Sequence, residues 1–124
     1  MGIDFGTKRV GVALSDEGAS FAFPHSVVEN TNKLFENICK IAAEEKVQKI
    51  VMGESRDFQG KPNPIMRDIL VFKGRLEKEG NFEVILEPEF LTSAEAERIQ
   101  GKHEHIDASA AALILKSYLD RNKT

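Results

Sequence analysis

Short apolar runs open this chain, and stretches of helical and strand spacing alternate after them. Gly2-Ile3-Asp4 and Val10 to Leu14 read as two strands of a hairpin turning through Phe5-Gly6-Thr7-Lys8. The first strand is short, with Met1 already inside it, which fits either a fold that tolerates a stub or a longer parent chain. Asp16 to Ser20 is a loop, and Ser26-Val27-Val28 suggests a third strand. Leu34, Ile38, Ile41 and Ala42 then recur at helical spacing, predicting a helix from about Asn32 to Glu45 capped by Thr31. Lys49 to Gly53 holds a compact strand, Ile50-Val51-Met52, followed by a polar loop punctuated by Gly60, Pro62 and Pro64. Ile65, Ile69, Phe72 and Leu76 mark a second helix that Gly80 is placed to end. Phe82, Val84 and Leu86 alternate with polar residues as in a strand. Thr92-Ser93-Ala94-Glu95 has the form of a capping box for a further helix stopped by Gly101, and a last helix runs from about Asp107 to Arg121.

The order is β-β-β-α-β-α-β-α-α. A hairpin meander followed by βαβαβ units predicts an α/β fold, with a five-stranded mixed sheet and helices on both faces. Right-handed crossovers put the fourth strand beside the first and parallel to it. The length of 124 residues is that of one domain, 1–124, with room for a core of its own.

Composition narrows the setting. At 41% hydrophobic and 30% charged, the chain is that of a folded globular protein. The single cysteine, Cys39, lies among apolar helix positions and reads as a buried, inert thiol. The first residues show no basic leader, and the longest apolar-rich run, Ala108 to Leu115, is too short to span a bilayer. The expectation is a cytoplasmic protein with no membrane partner. A net charge of −3 counts against nucleic-acid binding by bulk charge. It leaves room for an enzyme that gathers carboxylates around metal and keeps its cations elsewhere.

In open α/β sheets ligands bind beyond the carboxyl ends of the strands, and here those ends are acidic. The first strand ends in Asp4, the fourth runs into Glu54, the fifth runs into Glu87 and Glu89, and Asp107 starts the last helix. Hard carboxylate oxygens suit Mg²⁺ or Mn²⁺. Two such ions, about 3.5–4 Å apart, can clamp the attacking and leaving oxygens of a phosphodiester. Each acid also has a plain structural role open to it. Asp4 can start the turn, Glu54 can pair with Arg56, Glu89 can sit in solvent, and Asp107 can cap a helix. Thr7, Lys8 and Arg9 lie beside Asp4 and are natural phosphate contacts, or simply turn residues in solvent. His103-Glu104-His105 is a weak metal pattern in a polar loop.

The string Gly2-Ile3-Asp4-Phe5-Gly6-Thr7-Lys8-Arg9-Val10-Gly11-Val12-Ala13-Leu14-Ser15-Asp16 is far more specific. It resembles the opening motif of the bacterial YqgF/RuvX family of pre-16S rRNA nucleases and Holliday junction resolvases. Three further segments resemble the family in its own order: Ile50-Val51-Met52-Gly53 with the later Gly60, Leu91-Thr92-Ser93-Ala94-Glu95-Ala96, and Ile106-Asp107-Ala108-Ser109-Ala110-Ala111. The resemblance implies a ribonuclease H-like fold, divalent-metal nuclease activity, and an acid set on Asp4, Glu89 and Asp107. Pro88 and Phe90 depart from the family's usual Asp and Arg beside that glutamate, and Glu54 and Ser55 depart from its usual Leu and Pro. In related resolvases the second metal acid ends the fourth strand, so Glu54 stands as an alternative or an addition to Glu89.

The expected activity is a metal-dependent endonuclease using two Mg²⁺ or Mn²⁺ ions with its substrate, RNA in preference to a DNA junction. A junction resolvase needs two active sites, hence a symmetric dimer; pre-rRNA processing needs none, so monomer and homodimer both stay open. Two rivals come from other classes. A non-catalytic RNA- or ribosome-binding protein on the same fold fits the acidic charge. An ATP-binding domain of the actin and sugar-kinase type shares the Asp4-Phe5-Gly6-Thr7 turn, but needs a second domain and a second glycine-rich loop.

Overall fold

A computed structural model describes residues 1–16, 18, 20–55, 65–89 and 105–121. Five strands, β1 (Gly2–Phe5), β2 (Arg9–Ser15), β3 (Ala22–Glu29), β4 (Lys49–Ser55) and β5 (Glu83–Glu89), form one sheet in the order β3-β2-β1-β4-β5. The β1–β2 and β2–β3 pairs are antiparallel, whereas β4 pairs with β1 and β5 with β4 in parallel. The meander and both parallel crossovers are therefore as the element order predicts. β3 is longer than its valines suggest. It is an edge strand, which tolerates Pro24, and the register shifts between Val12 and Ala13 where Pro24 pairs.

Strand alternation divides the core into two layers. Met1, Ile3, Val10, Val12, Leu14, Ile50, Met52 and Val84 face one side of the sheet. They pack there against helices α1 (Leu34–Glu44) and α2 (Met66–Lys78) through Leu34, Ile38, Ile69, Phe72 and Leu76. Ile3, Ile38, Ile50, Met52 and Leu76 are fully buried, each contributing roughly 1.5–3 kcal/mol of apolar burial. On the opposite face Ala13 and Val51 meet a single helix, α3 (His105–Arg121), through Ala111, Ile114 and Leu115. Helices thus cover both faces.

Several expected boundaries move. α1 starts at Leu34, and the Thr31 hydroxyl accepts from the Lys33 amide in the preceding turn rather than capping the helix. Just past α2 the Gly80 amide still donates to the Leu76 carbonyl, and the left-handed residue that turns the chain away falls one position later than expected, at Asn81 (φ 59°). Cys39 is half-buried rather than buried, and burial pushes its thiol pKa up. The helix expected after Thr92 lies outside the described residues. Among the described residues no helix is long and apolar enough to cross a membrane.

Candidate active site

The acids expected at the strand ends separate by face. In β1, Ile3 and Phe5 point to the α1/α2 side, Phe5 lying 5.5 Å from Phe72 between ring centroids. Gly2 faces α3, where an added Cβ would stand 2.7 Å from the Ala111 carbonyl oxygen. Asp4 shares Gly2's parity and stands, half-buried, on the α3 side at the carboxyl end of β1. Its partner across the β1–β2 ladder is Gly11, and Gly53 follows Met52, the β4 partner of Ile3. Glycine therefore flanks the carboxylate in both neighbouring strands, and neither contributes a side chain beside it.

In β4, Ile50 and Met52 belong to the α1/α2 layer and Val51 to the α3 layer. Glu54 follows the parity of Ile50 and Met52, so it takes the face opposite Asp4 although its strand is β1's neighbour. Asp4 and Glu54 thus stand near the same edge of the sheet, on opposite faces. β5 alternates likewise: Val84 and Leu86 face α1/α2, while Glu87 bonds to α3. Position 89, in register with Ser55, has the parity of Glu87 and Asp4. The helix also runs the required way. Ala111 and Leu115 lie over Gly2, and Tyr118 reaches Lys49 at the start of β4. Its first turn, which carries position 107, thus points toward the carboxyl ends of β1 and β4. The side chains of Glu89 and Asp107 lie outside the described residues, as do His103 and Glu104.

Thr7, Lys8 and Arg9 are exposed at the β1–β2 hairpin tip next to Asp4. A residue without any motif holds this tip. The Asn30 side-chain amide donates to the Gly6 carbonyl at 2.7 Å, and the Asn30 backbone amide donates to the Lys8 carbonyl at 2.9 Å. The end of β3 is thereby stapled to the turn beside the candidate site. Replacing Asn30 with Ala removes one of these bonds, an expected loss of about 1 kcal/mol. Asn30→Asp, with no donor to offer and a charge facing a carbonyl, should cost more. Urea midpoints with unchanged slopes would check the order, together with faster amide exchange at residues 6–9.

This geometry has close relatives. The family model described as "RuvX: Holliday junction resolvase" matches residues 1–121. The chain belongs to the RuvX family. Proteins named "Putative pre-16S rRNA nuclease" are 34% identical to it in Maridesulfovibrio salexigens, over 98% of this chain and 97% of the relative. In Desulforudis audaxviator the identity is 34%, over 100% and 95%. Among solved structures, Thermus thermophilus RuvC in complex with Holliday junction substrate superposes with a TM-score of 0.63 at 15% identity, covering 97% of this chain and 92% of that one. The fowlpox virus resolvase with its junction DNA gives 0.56 at 11% identity, covering 99% and 97%. These structures share the ribonuclease H-like fold of this RuvX-family chain.

A hard divalent cation fits the donor chemistry that the fold presents. Asp4 offers carboxylate oxygens at a strand end bordered by glycine, position 89 shares its strand parity, and the first turn of α3 carries position 107 toward the same end of the sheet. Among the described residues alone, no group of three or more His, Cys, Asp or Glu side chains forms a metal cluster.

Proposed function

We propose that this RuvX-family chain is a divalent-metal-dependent endonuclease that cuts precursor 16S rRNA in the cytoplasm. In this reading Asp4, Glu89 and Asp107 hold the metal, and Thr7, Lys8 and Arg9 lie along the substrate backbone. The observation that carries it is the placement of Asp4 on the face of the sheet that α3 covers, at the carboxyl end of β1. Held by Asp4, Glu89 and Asp107, Mg²⁺ or Mn²⁺ would supply Lewis-acid polarisation of the phosphodiester and would ease deprotonation of the attacking water to hydroxide. The chain's own contribution is positional. The hairpin tip orients the phosphate backbone, and the Asn30 staple keeps that tip beside Asp4. Strand alternation favours Glu89 over Glu54 as the second acid.

The family description also favours a four-way DNA junction as substrate, so both belong in one experiment. Matched precursor 16S RNA and junction DNA should be incubated with the protein and Mg²⁺ or Mn²⁺. Cleavage of the RNA is expected, abolished by EDTA and restored by added metal. Junction cleavage alone would move the substrate to DNA. Activity that survives exhaustive chelation would overturn the metal mechanism. Tight RNA binding without cleavage under any metal would leave a non-catalytic binding protein.

A further inference from the structure

Among the described residues, Glu87 is the one charged residue in the interior, its side chain 4% exposed. The Arg121 guanidinium donates to one carboxylate oxygen at 2.5 Å, and the Ser117 hydroxyl to the other at 3.0 Å. Both donors come from the last turns of α3, one helical turn apart, and the acceptor comes from β5. Glu87 is buried but the Arg121 side chain is 56% exposed, so solvent screens the pair and its contribution to stability is modest. What such a pair does supply is a fixed geometry between the two elements it joins.

That geometry bears on the candidate site. Glu87 precedes Glu89 by two positions on one face of β5, and α3 carries Asp107 at its other end. The helix packs along β2, β3 and β1, and near its middle Ala111 and Leu115 come close to Gly2. A rigid rod held there and tied at one end has its other end fixed in angle. From position 107 to the clasp is roughly 18 Å at 1.5 Å per residue, so a displacement at Arg121 reappears at Asp107 at similar size. Productive constellations tolerate only about 0.5 Å.

We propose that Glu87, Ser117 and Arg121 form a positioning clasp that sets where the Asp107 end of α3 stands against Glu89 and Asp4. This rests on the reading of those three acids as the metal set. The test is Mn²⁺ affinity, titrated by electron paramagnetic resonance, in the wild type and in Arg121→Gln, Arg121→Lys, Glu87→Gln and the Glu87→Gln/Arg121→Gln pair, with RNA cleavage measured beside it. Coulomb's law alone has Arg121→Gln tighten cation binding, since a positive charge leaves. The clasp has it weaken binding by about tenfold or more, the scale of lost outer-shell support. Arg121→Lys should recover most of the affinity, and the double variant should be no worse than the singles. If Arg121→Gln fails to fold with its carboxylate held by Ser117 alone, the double variant, which leaves the net charge unchanged, carries the same expectation of weaker binding. Folded variants that bind Mn²⁺ as tightly as the wild type, or more tightly, overturn the clasp even if RNA is cut. A wild type that binds Mn²⁺ but cuts no nucleic acid overturns the nuclease reading, and a tenfold affinity loss in Arg121→Gln would still support the clasp.

Discussion

Asp4→Asn should abolish cleavage while leaving the fold intact. The substitution keeps the shape and volume of the side chain and one of its acceptor oxygens, but removes the negative charge. If Asp4 holds metal at the reacting phosphodiester, several kcal/mol of transition-state charge stabilisation disappear. At 1.36 kcal/mol per decade, a loss of about 4 kcal/mol is a roughly thousandfold fall in kcat. If Glu89 and Asp107 gather around Asp4 as proposed, stability should move the other way or not at all, because the acids repel one another when metal is absent. An aspartate that merely shaped the turn would reverse the pattern: a lower melting temperature, with activity in proportion to folded protein. Both quantities should be read on one preparation, and a destabilised variant with near-normal specific activity would sink the assignment.

Much of this architecture was legible because its period is local. The apolar positions of the hairpin, Ile50-Val51-Met52 and Val84/Leu86 announce strands, and the crossover rule then dictates which are neighbours. The parity of Glu54 was also countable, two residues on from Met52 on the same face. The apolar run marks β4 only as far as Gly53, whereas the strand continues to Ser55 and carries Glu54 within it. β5 likewise continues past Leu86 to Glu89, through a proline that an edge strand accommodates. Nothing local marks Glu87 as buried. A glutamate at an alternating position looks like a solvent-facing one, and its partners lie 30 and 34 residues away on α3. Asn30 is the same case in miniature: its importance lies in a carbonyl 24 residues earlier that only the folded meander brings within reach.

Gly2 supplies the second large effect, and it links packing to the site. A Cβ there would stand 2.7 Å from the Ala111 carbonyl oxygen and 2.8 Å from the Leu115 Cβ. Neither is the far end of a flexible side chain, so Gly2→Ala must lift α3 away from β1. Overpacking of this kind costs roughly 1–3 kcal/mol. The lifted helix takes position 107 with it, away from Asp4, so cleavage should fall by more than the unfolded fraction explains. Gly74 is the matched control. It lies inside α2, an added Cβ there meets nothing within 4 Å, and alanine is the better helix former by up to about 1 kcal/mol. Gly74→Ala should therefore raise the urea midpoint and leave cleavage unchanged. Two substitutions identical in chemistry are expected to act with opposite sign, because at Gly2 the new methyl meets a helix and at Gly74 it meets open space. A Gly2→Ala protein as stable and as active as the wild type would show that α3 does not sit on β1 at this distance, and would remove the fulcrum on which the placement of Asp107 depends.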